Sequence, residues 1–247
     1  MKKYIIAFFL LVISFLYIFL SNETGGARVF VNLMTFAGIY GLAAIGINVH
    51  FGWTGLLNFG HAAFMGIGAY TTVLLIPHSL GREGVVISSG LPLPLAILIG
   101  ILAAALLGLF LGLPTLRLRG DYLAIVTIAA AEIFRLLVRD FEDLTGGVYG
   151  IIQFSDSLQN SRPDFITRFC ESYDISPSQF WVGLLTWISI IVVLLILSRL
   201  KKSPWGRALR AVREDEDAVR ALGKNAVLLK LQSFMLGAAI GGLSGIF

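Results

Sequence analysis

The sequence contains almost no cysteine and little charge. Cys170 is the only cysteine among 247 residues, so no disulfide can form within the chain. Only 14% of the residues are charged, against about 25% in soluble globular proteins. A disordered chain is excluded as well, because 57% of the residues are apolar and the mean hydropathy is +0.84. These values predict a protein that lies in a membrane.

Motifs for catalysis and for metal or nucleotide binding are also missing. The three histidines, His50, His61 and His78, are too far apart in sequence to form a metal-binding pair on one helix turn, and there is no cysteine cluster. Lys224 follows a single glycine and precedes Asn225, so the phosphate-binding pattern Gly-x-x-x-x-Gly-Lys-Ser/Thr is absent. We therefore expect no metal, no cofactor and no catalytic residue, and a membrane-embedded enzyme is the least favoured class.

Apolar runs with few or no charges dominate the sequence. They are about 17 to 23 residues long, close to the length that a helix needs to cross the hydrocarbon core of a bilayer. This pattern predicts an all-α, polytopic membrane protein with six to seven spans in a single domain over residues 1–247. Because the last run reaches Phe247 with no following loop, we expect a chain truncated at its C-terminus. The predicted spans are 4–20, 29–49, 57–76, 91–113, 122–138, 180–200 and 231–247.

Basic residues concentrate on one side of these spans. Because Lys and Arg near span ends stay in the cytoplasm, their placement predicts a cytoplasmic N-terminus. The segment 201–230 then lies inside, and the outer loop 139–179 contains more acidic than basic residues. Charge placed in this way indicates a membrane protein and not a partner of nucleic acid. The 13 of 19 basic residues assigned to the cytoplasmic side are Lys2, Lys3, Arg117, Arg119, Arg199, Lys201, Lys202, Arg207, Arg210, Arg213, Arg220, Lys224 and Lys230.

Glycines interrupt the apolar stretch Gly52–Tyr70. Glycine-interrupted segments at membrane depth occur where helices pack against protein or line a water-filled path. On the helix predicted over 57–76, one face carries polar and small residues at intervals of three to four. These side chains form either part of a translocation path or hydrogen bonds between helices, and the sequence favours neither. The residues on this face are Asn58, His61, Met65, Gly68 and Thr72.

Glu132 is an ionisable residue inside a predicted span, where a charge costs about 2.5 to 3.5 kcal/mol. Arg135 and Arg139 follow at positions i+3 and i+7 on the same helix face, so either can pair with Glu132. The pair is either a structural clamp or part of a substrate path. A glycine-rich turn follows at 145–150, where a plain solvated turn is the simplest interpretation.

The segment between the last two predicted spans has helix signals at both ends. Ser203 and Pro204 predict a helix start, and Gly223 predicts a helix stop. Between them lie a basic stretch (Arg207–Arg213), an acidic stretch (Glu214–Asp217) and a short stripe of Ala, Val and Leu. This composition predicts an element that docks a soluble partner. The alternative is a helix lying on anionic lipid, a surface that would repel the acidic stretch.

Four motifs occur in one order along the chain: Gly55–Thr71, Leu116–Thr127, Thr145–Gly147 and Ser203–Glu216. Together they resemble the LivM-type permease of branched-chain amino acid ABC importers. The resemblance implies a permease of the bacterial inner membrane that moves branched-chain or other neutral amino acids while other subunits hydrolyse ATP. The same permease type also occurs in urea and short-chain amide importers, so those solutes stay open. A self-sufficient channel or secondary transporter stays open as well.

The resemblance also implies partners: a second, LivH-like permease subunit, two cytoplasmic ATPase subunits, an external solute-binding protein and the surrounding membrane lipid. Permeases of ABC importers dock on the ATPase through a loop with the pattern Glu-Ala-Ala-x-x-x-Gly, and the same spacing here reads Asp-Ala-Val-Arg-Ala-Leu-Gly over 217–223. The expected ATPase-coupling residues are Arg213, Glu214, Asp217, Ala218 and Gly223. The expected translocation-path residues are Asn58, His61, Gly68, Thr72, Glu132 and Arg135.

Overall fold

The computed structural model describes residues 26–76, 89–116, 120–147, 150–151, 161–171 and 175–247. The predicted span 4–20 lies outside them. The described residues form ten α-helices and no strand, which confirms the all-α prediction. In chain order the helices are α1 (Gly26–Thr54), α2 (His61–Leu75), α3 (Leu93–Thr115), α4 (Gly120–Asp140), α5 (Glu142–Thr145), α6 (Asp164–Glu171), α7 (Pro177–Lys202), α8 (Pro204–Glu214), α9 (Glu216–Ala221) and α10 (Ala226–Ile246).

Four of the described helices, α1, α3, α7 and α10, are long and apolar enough to cross a membrane. The apolar helix α2 is shorter, with 15 residues. Helix α4 has 21 residues, a rise of about 31 Å, and it carries charged residues at both ends and at Glu132 and Arg135. Each predicted span after residue 28 overlaps one of these six helices.

Local sequence determines several helix ends. Pro177 begins α7, where a missing backbone N–H costs nothing. Arg199, Lys201 and Lys202 lie in its last turn, where positive charge interacts favourably with the helix dipole. The Asn225 side chain accepts a hydrogen bond from the third amide that follows it and so begins α10.

Helix α10 lies at the centre of the bundle, because it packs against α1, α2 and α3. Helix α7 packs on α1, and α4 packs on α2. Two apolar clusters hold these helices together. One is built around Phe64, Leu123 and Phe234 and joins α2, α4 and α10. The other joins α1, α7, α8 and α10 and contains Leu42, Val49, Trp53, Ile190, Val193, Leu197, Leu209 and Ile240.

Helix α3 contacts its neighbours through small side chains. Small residues at intervals of four let helix backbones approach closely in a membrane. The bulky apolar side chains of α3 lie on the other faces and are exposed, as expected for a helix surrounded by lipid. The buried residues are Ala96, Gly100, Ala104, Gly108, Gly112 and Thr115. The exposed ones are Leu95, Leu98, Leu102, Leu106, Phe110 and Leu113.

A small apolar cluster ties α6 to the first turns of α1 and α7. It contains Val31, Ile166, Cys170 and Ile175. Cys170 is fully buried, and this burial raises the pKa of its thiol, while Arg162 nearby acts in the opposite direction. The single cysteine is therefore a packing residue with a thiol that stays protonated at neutral pH.

The predicted glycine turn closes the short helix α5. The Thr145 hydroxyl donates to the Phe141 carbonyl at 2.8 Å and accepts from the Gly147 amide at 3.2 Å. Gly146 and Gly147 have φ angles of +74° and +60°, a backbone conformation that favours glycine. These contacts are those of a structural turn.

Candidate functional site: a buried histidine pair and the segment 203–225

The chain between α1 and α2 folds back onto α1 through Asn58. The Asn58 carbonyl oxygen accepts from the Gly60 amide at 3.0 Å, and its amide nitrogen donates to Nδ1 of His50 at 3.0 Å. Asn58 therefore lies in the connecting loop, and α2 begins three residues later, at His61. The prediction of a single helix from residue 57 is corrected here, because the Asn58 side chain holds the loop in a non-helical conformation.

His50 and His61 lie side by side in the interior, with ring centroids 5.7 Å apart. His50 is completely buried, and its Nε2 lies 2.8 Å from the Phe234 carbonyl oxygen on α10. Because Nδ1 accepts from Asn58, Nε2 is assigned as the protonated nitrogen that donates to this carbonyl. His61 is only 5% exposed, and neither of its ring nitrogens has a hydrogen-bond partner in the described part of the chain.

The predicted path face of α2 is packed against other helices. His61, Gly68 and Thr72 are all buried. Gly68 faces the backbone of Gly242 on α10, and the Thr72 hydroxyl donates to the Ala96 carbonyl of α3 at 3.4 Å. In this conformation the face is therefore closed, with α3 and α10 covering it.

Glu132 and Arg135 form the ion pair that their spacing predicts. The Arg135 guanidinium donates two hydrogen bonds to the Glu132 carboxylate, at 2.6 and 2.9 Å. Both side chains are more than half exposed, and they lie on the side of α4 opposite to Leu123 and Thr127, which pack on the bundle. The structure thus keeps this pair apart from His61 and its neighbours.

The segment 203–225 forms two helices instead of the single element predicted. Its start is confirmed, because the Ser203 hydroxyl accepts from the Gly206 amide. The helical conformation is interrupted at Asp215, whose carboxylate accepts a hydrogen bond from the Ala218 amide at 3.0 Å and so caps the start of α9. Its end is confirmed as well: Gly223 has a φ of +75° directly after α9.

Two polar contacts attach this segment to the long helices. Arg213 donates to the Gly52 carbonyl in the last turn of α1, at 2.7 Å. Glu216, the first residue of α9, forms an ion pair with Lys230 in the first turns of α10. The side chains of Lys230 and Glu216 are only 17% and 28% exposed, so this pair is partly shielded from solvent.

The remaining predicted coupling residues form an exposed surface. Glu214, Asp217, Ala218 and Gly223 are all exposed, and so is Leu222, at 78%.

A sequence model of the family described as the branched-chain amino acid transport system permease component matches residues 29–247. The chain belongs to this permease family. The LivM permease protein of the high-affinity branched-chain amino acid transport system of Salmonella typhimurium is 38% identical to it over 226 residues, which cover 87% of this chain and 51% of that protein. The LivM protein of Escherichia coli shows the same identity and coverage.

A further relative carries a different subunit name. The LivH permease protein of the same transport system in Escherichia coli is 25% identical over 218 residues, covering 87% of this chain and 68% of LivH. The chain spans about half the length of the two LivM proteins it matches. No solved structure matches the chain.

Sequence reasoning missed two contacts between helices of this permease. His50 and His61 are eleven positions apart in sequence, and their rings meet because α1 and α2 both pack on α10. The attachment of Glu216 to Lys230 joins residues fourteen positions apart across a turn. A charge of each sign at the ends of adjacent helices was the available signal, and it is a weak one.

Proposed function

We propose that this chain is the permease subunit of an ATP-driven importer that carries branched-chain or other neutral amino acids across a bacterial inner membrane. Its N-terminus lies in the cytoplasm, and the chain crosses the membrane at the predicted apolar runs, with the helix of the run 57–76 beginning at His61. One observation carries the proposal: α8 and α9 expose a polar surface while Arg213 and Glu216 attach them to two long helices, α1 and α10. Such an element can pass the motion of a soluble partner into the membrane.

The partners follow from this role. A second, LivH-like permease subunit completes the membrane part, two cytoplasmic ATPase subunits bind the exposed surface, and an external solute-binding protein delivers the solute. Glu214, Asp217, Ala218 and Gly223 contact the ATPase, and Arg213 transmits its motion to α1. The chain itself catalyses no reaction.

The translocation path has two parts. The first is the face with Asn58, His61, Gly68 and Thr72. The second is the ion pair of Glu132 and Arg135, which we place toward the second permease subunit. An ionised pair that faced lipid would be costly, and contact with protein or a water-filled path removes that cost.

The test is uptake by the reconstituted complex. The chain, in its full-length form, is produced with the companion permease, the ATPases and the solute-binding protein, and the complex is placed in proteoliposomes. Accumulation of labelled leucine should require internal ATP and stop when the ATPase carries a substitution that prevents hydrolysis. Labelled arginine serves as the charged control, because a path for neutral amino acids should exclude it.

Two results would contradict the proposal. Leucine entry that equilibrates without ATP would indicate a channel or a secondary transporter. ATP-dependent uptake of urea or a short-chain amide in place of leucine would keep the ATP-driven importer and replace its solute.

A further inference from the structure

His61 is buried without the hydrogen bonds that a buried imidazole requires. Its side chain is 5% exposed, and both ring nitrogens lack a partner among the described residues. The neighbouring His50 differs, because Asn58 and the Phe234 carbonyl satisfy both of its nitrogens. An unsatisfied buried polar group destabilises the conformation in which it is found. The packed state around His61 is therefore held together in spite of this side chain.

The surface opposite His61 is made of glycine. A Cβ on Gly241 of α10 would come within 2.7 Å of His61 Nε2, and one on Gly46 of α1 within 2.9 Å. Neither residue has a side chain that could provide a hydrogen bond. A polar partner for His61 can enter when α10 moves away from α2, or when α1 does.

The segment 203–225 is attached to the helices that enclose the histidines. Glu216 binds Lys230 on α10, and Arg213 binds the carbonyl of Gly52, two residues after His50 on α1. A displacement of α8 and α9 therefore acts directly on α1 and α10. The main packing partners of α8 and α9 among the described long helices are α1, α7 and α10, and not α2, which carries His61.

We propose that α10 moves away from α2 when the segment 203–225 is displaced, and that His61 then binds the polar end of the translocated solute. The solute class is a small zwitterion or another small molecule with hydrogen-bonding groups. This inference rests on the proposed function and names the contact that opens and the group that meets the solute. The closed contact between His61 and Gly241 is the resting state.

The first experiment measures water access to the contact with α10. Ala238 lies one turn before Gly241, is completely buried in the apolar cluster that contains Phe64 of α2, and differs from cysteine by a single sulfur atom, so Ala238→Cys is introduced into a Cys170→Ser background. The control is Thr186→Cys, an equally buried position where α7 packs on Gly38 of α1. Each complex is treated with a small water-soluble thiosulfonate, with and without ATP and solute-loaded binding protein.

We expect the Ala238→Cys thiol to react about tenfold faster or more during turnover, because an open state populated at about 10% or less becomes a major state. The Thr186→Cys thiol should react at one rate in both conditions. Lys230→Met should abolish the acceleration at Ala238→Cys. Equal rates for Ala238→Cys in both conditions, or the same acceleration at Thr186→Cys, would overturn the proposal.

The second experiment separates a binding role from a structural one. His61→Leu has a similar volume and no polar atom, so it should raise the melting temperature of the complex and lower uptake at least tenfold. His61→Gln restores hydrogen-bonding groups and should recover part of the uptake. A lower melting temperature with normal uptake in His61→Leu would show that the histidine is structural. Leucine uptake by the unmodified complex is measured in the same vesicles: its absence refutes the proposed function, whereas normal uptake with unchanged thiol reactivity refutes only this inference.

Discussion

Gly245 on α10 lies directly against the backbone of Met65 on α2, so closely that a Cβ on Gly245 would overlap the Met65 carbonyl. The contact is one helix turn from the place where Gly241 meets His61. Three glycines of α10, Gly237, Gly241 and Gly245, thus face polar or backbone atoms of α1 and α2 with no side chain between them.

Replacing Gly245 with alanine should loosen this contact and destabilise the protein by about 1 to 3 kcal/mol, the usual cost of overpacking. The matched control is Gly41→Ala on α1, where a Cβ would meet only Ile190 Cδ1 at 3.8 Å. Because alanine favours a helix interior over glycine by about 0.5 to 1 kcal/mol, Gly41→Ala should be neutral or stabilising. Thermal unfolding of both variants in detergent tests this pair, and a Gly245→Ala variant as stable as Gly41→Ala would contradict the packing described.

Gly223 permits a sharp test of the exposed surface of α9. Its φ of +75° costs a side-chain-bearing residue about 1 to 2 kcal/mol, and there is open space where its Cβ would lie. Gly223→Val should therefore leave the protein inserted and abundant while it abolishes solute-stimulated ATP hydrolysis and weakens ATPase binding in pull-downs. Gly223→Asn is the control, because asparagine tolerates this conformation, and it should retain most of the stimulation.

A double variant with Gly223→Val and Asp217→Lys gives the result that would contradict this prediction. If its solute-stimulated ATP hydrolysis is normal, these residues do not belong to the docking surface, and the case for an ATP-driven importer is weaker.

The ion pair between Lys230 and Glu216 should contribute more to stability than its exposed neighbours. Because both side chains are largely shielded, Lys230→Met should lower the free energy of unfolding by about 1.5 to 3 kcal/mol. The matched control is Arg220→Met, which removes two contacts from an arginine side chain that is 54% exposed and should cost about 1 kcal/mol or less. A double-mutant cycle with Glu216→Gln measures the interaction, and a coupling energy near zero would show that the two residues act independently.

The orientation of the chain can be tested with two exposed positions. Phe165 on α6 is 71% exposed, and Leu222 after α9 is 78% exposed. In a Cys170→Ser background, Phe165→Cys should react with an impermeant thiol reagent from outside the cell, and Leu222→Cys only after the cytoplasmic face is opened. The reverse pattern would overturn the predicted topology.

Burial of Cys170 predicts a dependence of stability on pH. The folded state raises the pKa of the thiol above its usual value of 9.0, so it keeps a proton that the unfolded state loses. The stabilisation is complete below pH 9 and is lost as the pH rises from there through the higher folded pKa. The difference in unfolding free energy between the natural chain and Cys170→Ala should narrow over that range, and a constant difference would contradict the burial of the thiol.

Local signals in the sequence predicted the parts of the structure that depend on neighbouring residues. Ser203 as a helix start, Gly223 as a helix stop and the pairing of Glu132 with Arg135 all lie within a few positions of their partners. Apolar runs predicted the long helices for the same reason, because a run of suitable length and composition is itself the cause of a span.

Features that depend on packing between distant segments were out of reach. The acidic residues around Asp215 favour a helix start as much as a helix interior, so the break between α8 and α9 was hidden. The apolar run that begins at residue 57 predicts a helix over 57–76, and the contact with His50 that holds Asn58 outside α2 comes from another helix. The exposure of Glu132 was unpredictable as well, since helix periodicity places residues on a face but does not say which face meets the bundle.

The small residues of α3 lie on one face of the helix and its bulky apolar residues on the other, and the two faces have different roles. The buried small residues determine the distance to the neighbouring helices; they are Ala96, Gly100, Ala104, Gly108 and Gly112. The exposed leucines and Phe110 make no such contact and determine only whether the outer face of the helix is compatible with lipid or with water. The two sets share no position. A water-soluble counterpart of this helix could therefore be designed by exchanging the bulky face for glutamate and lysine while every contact inside the bundle is left as it is.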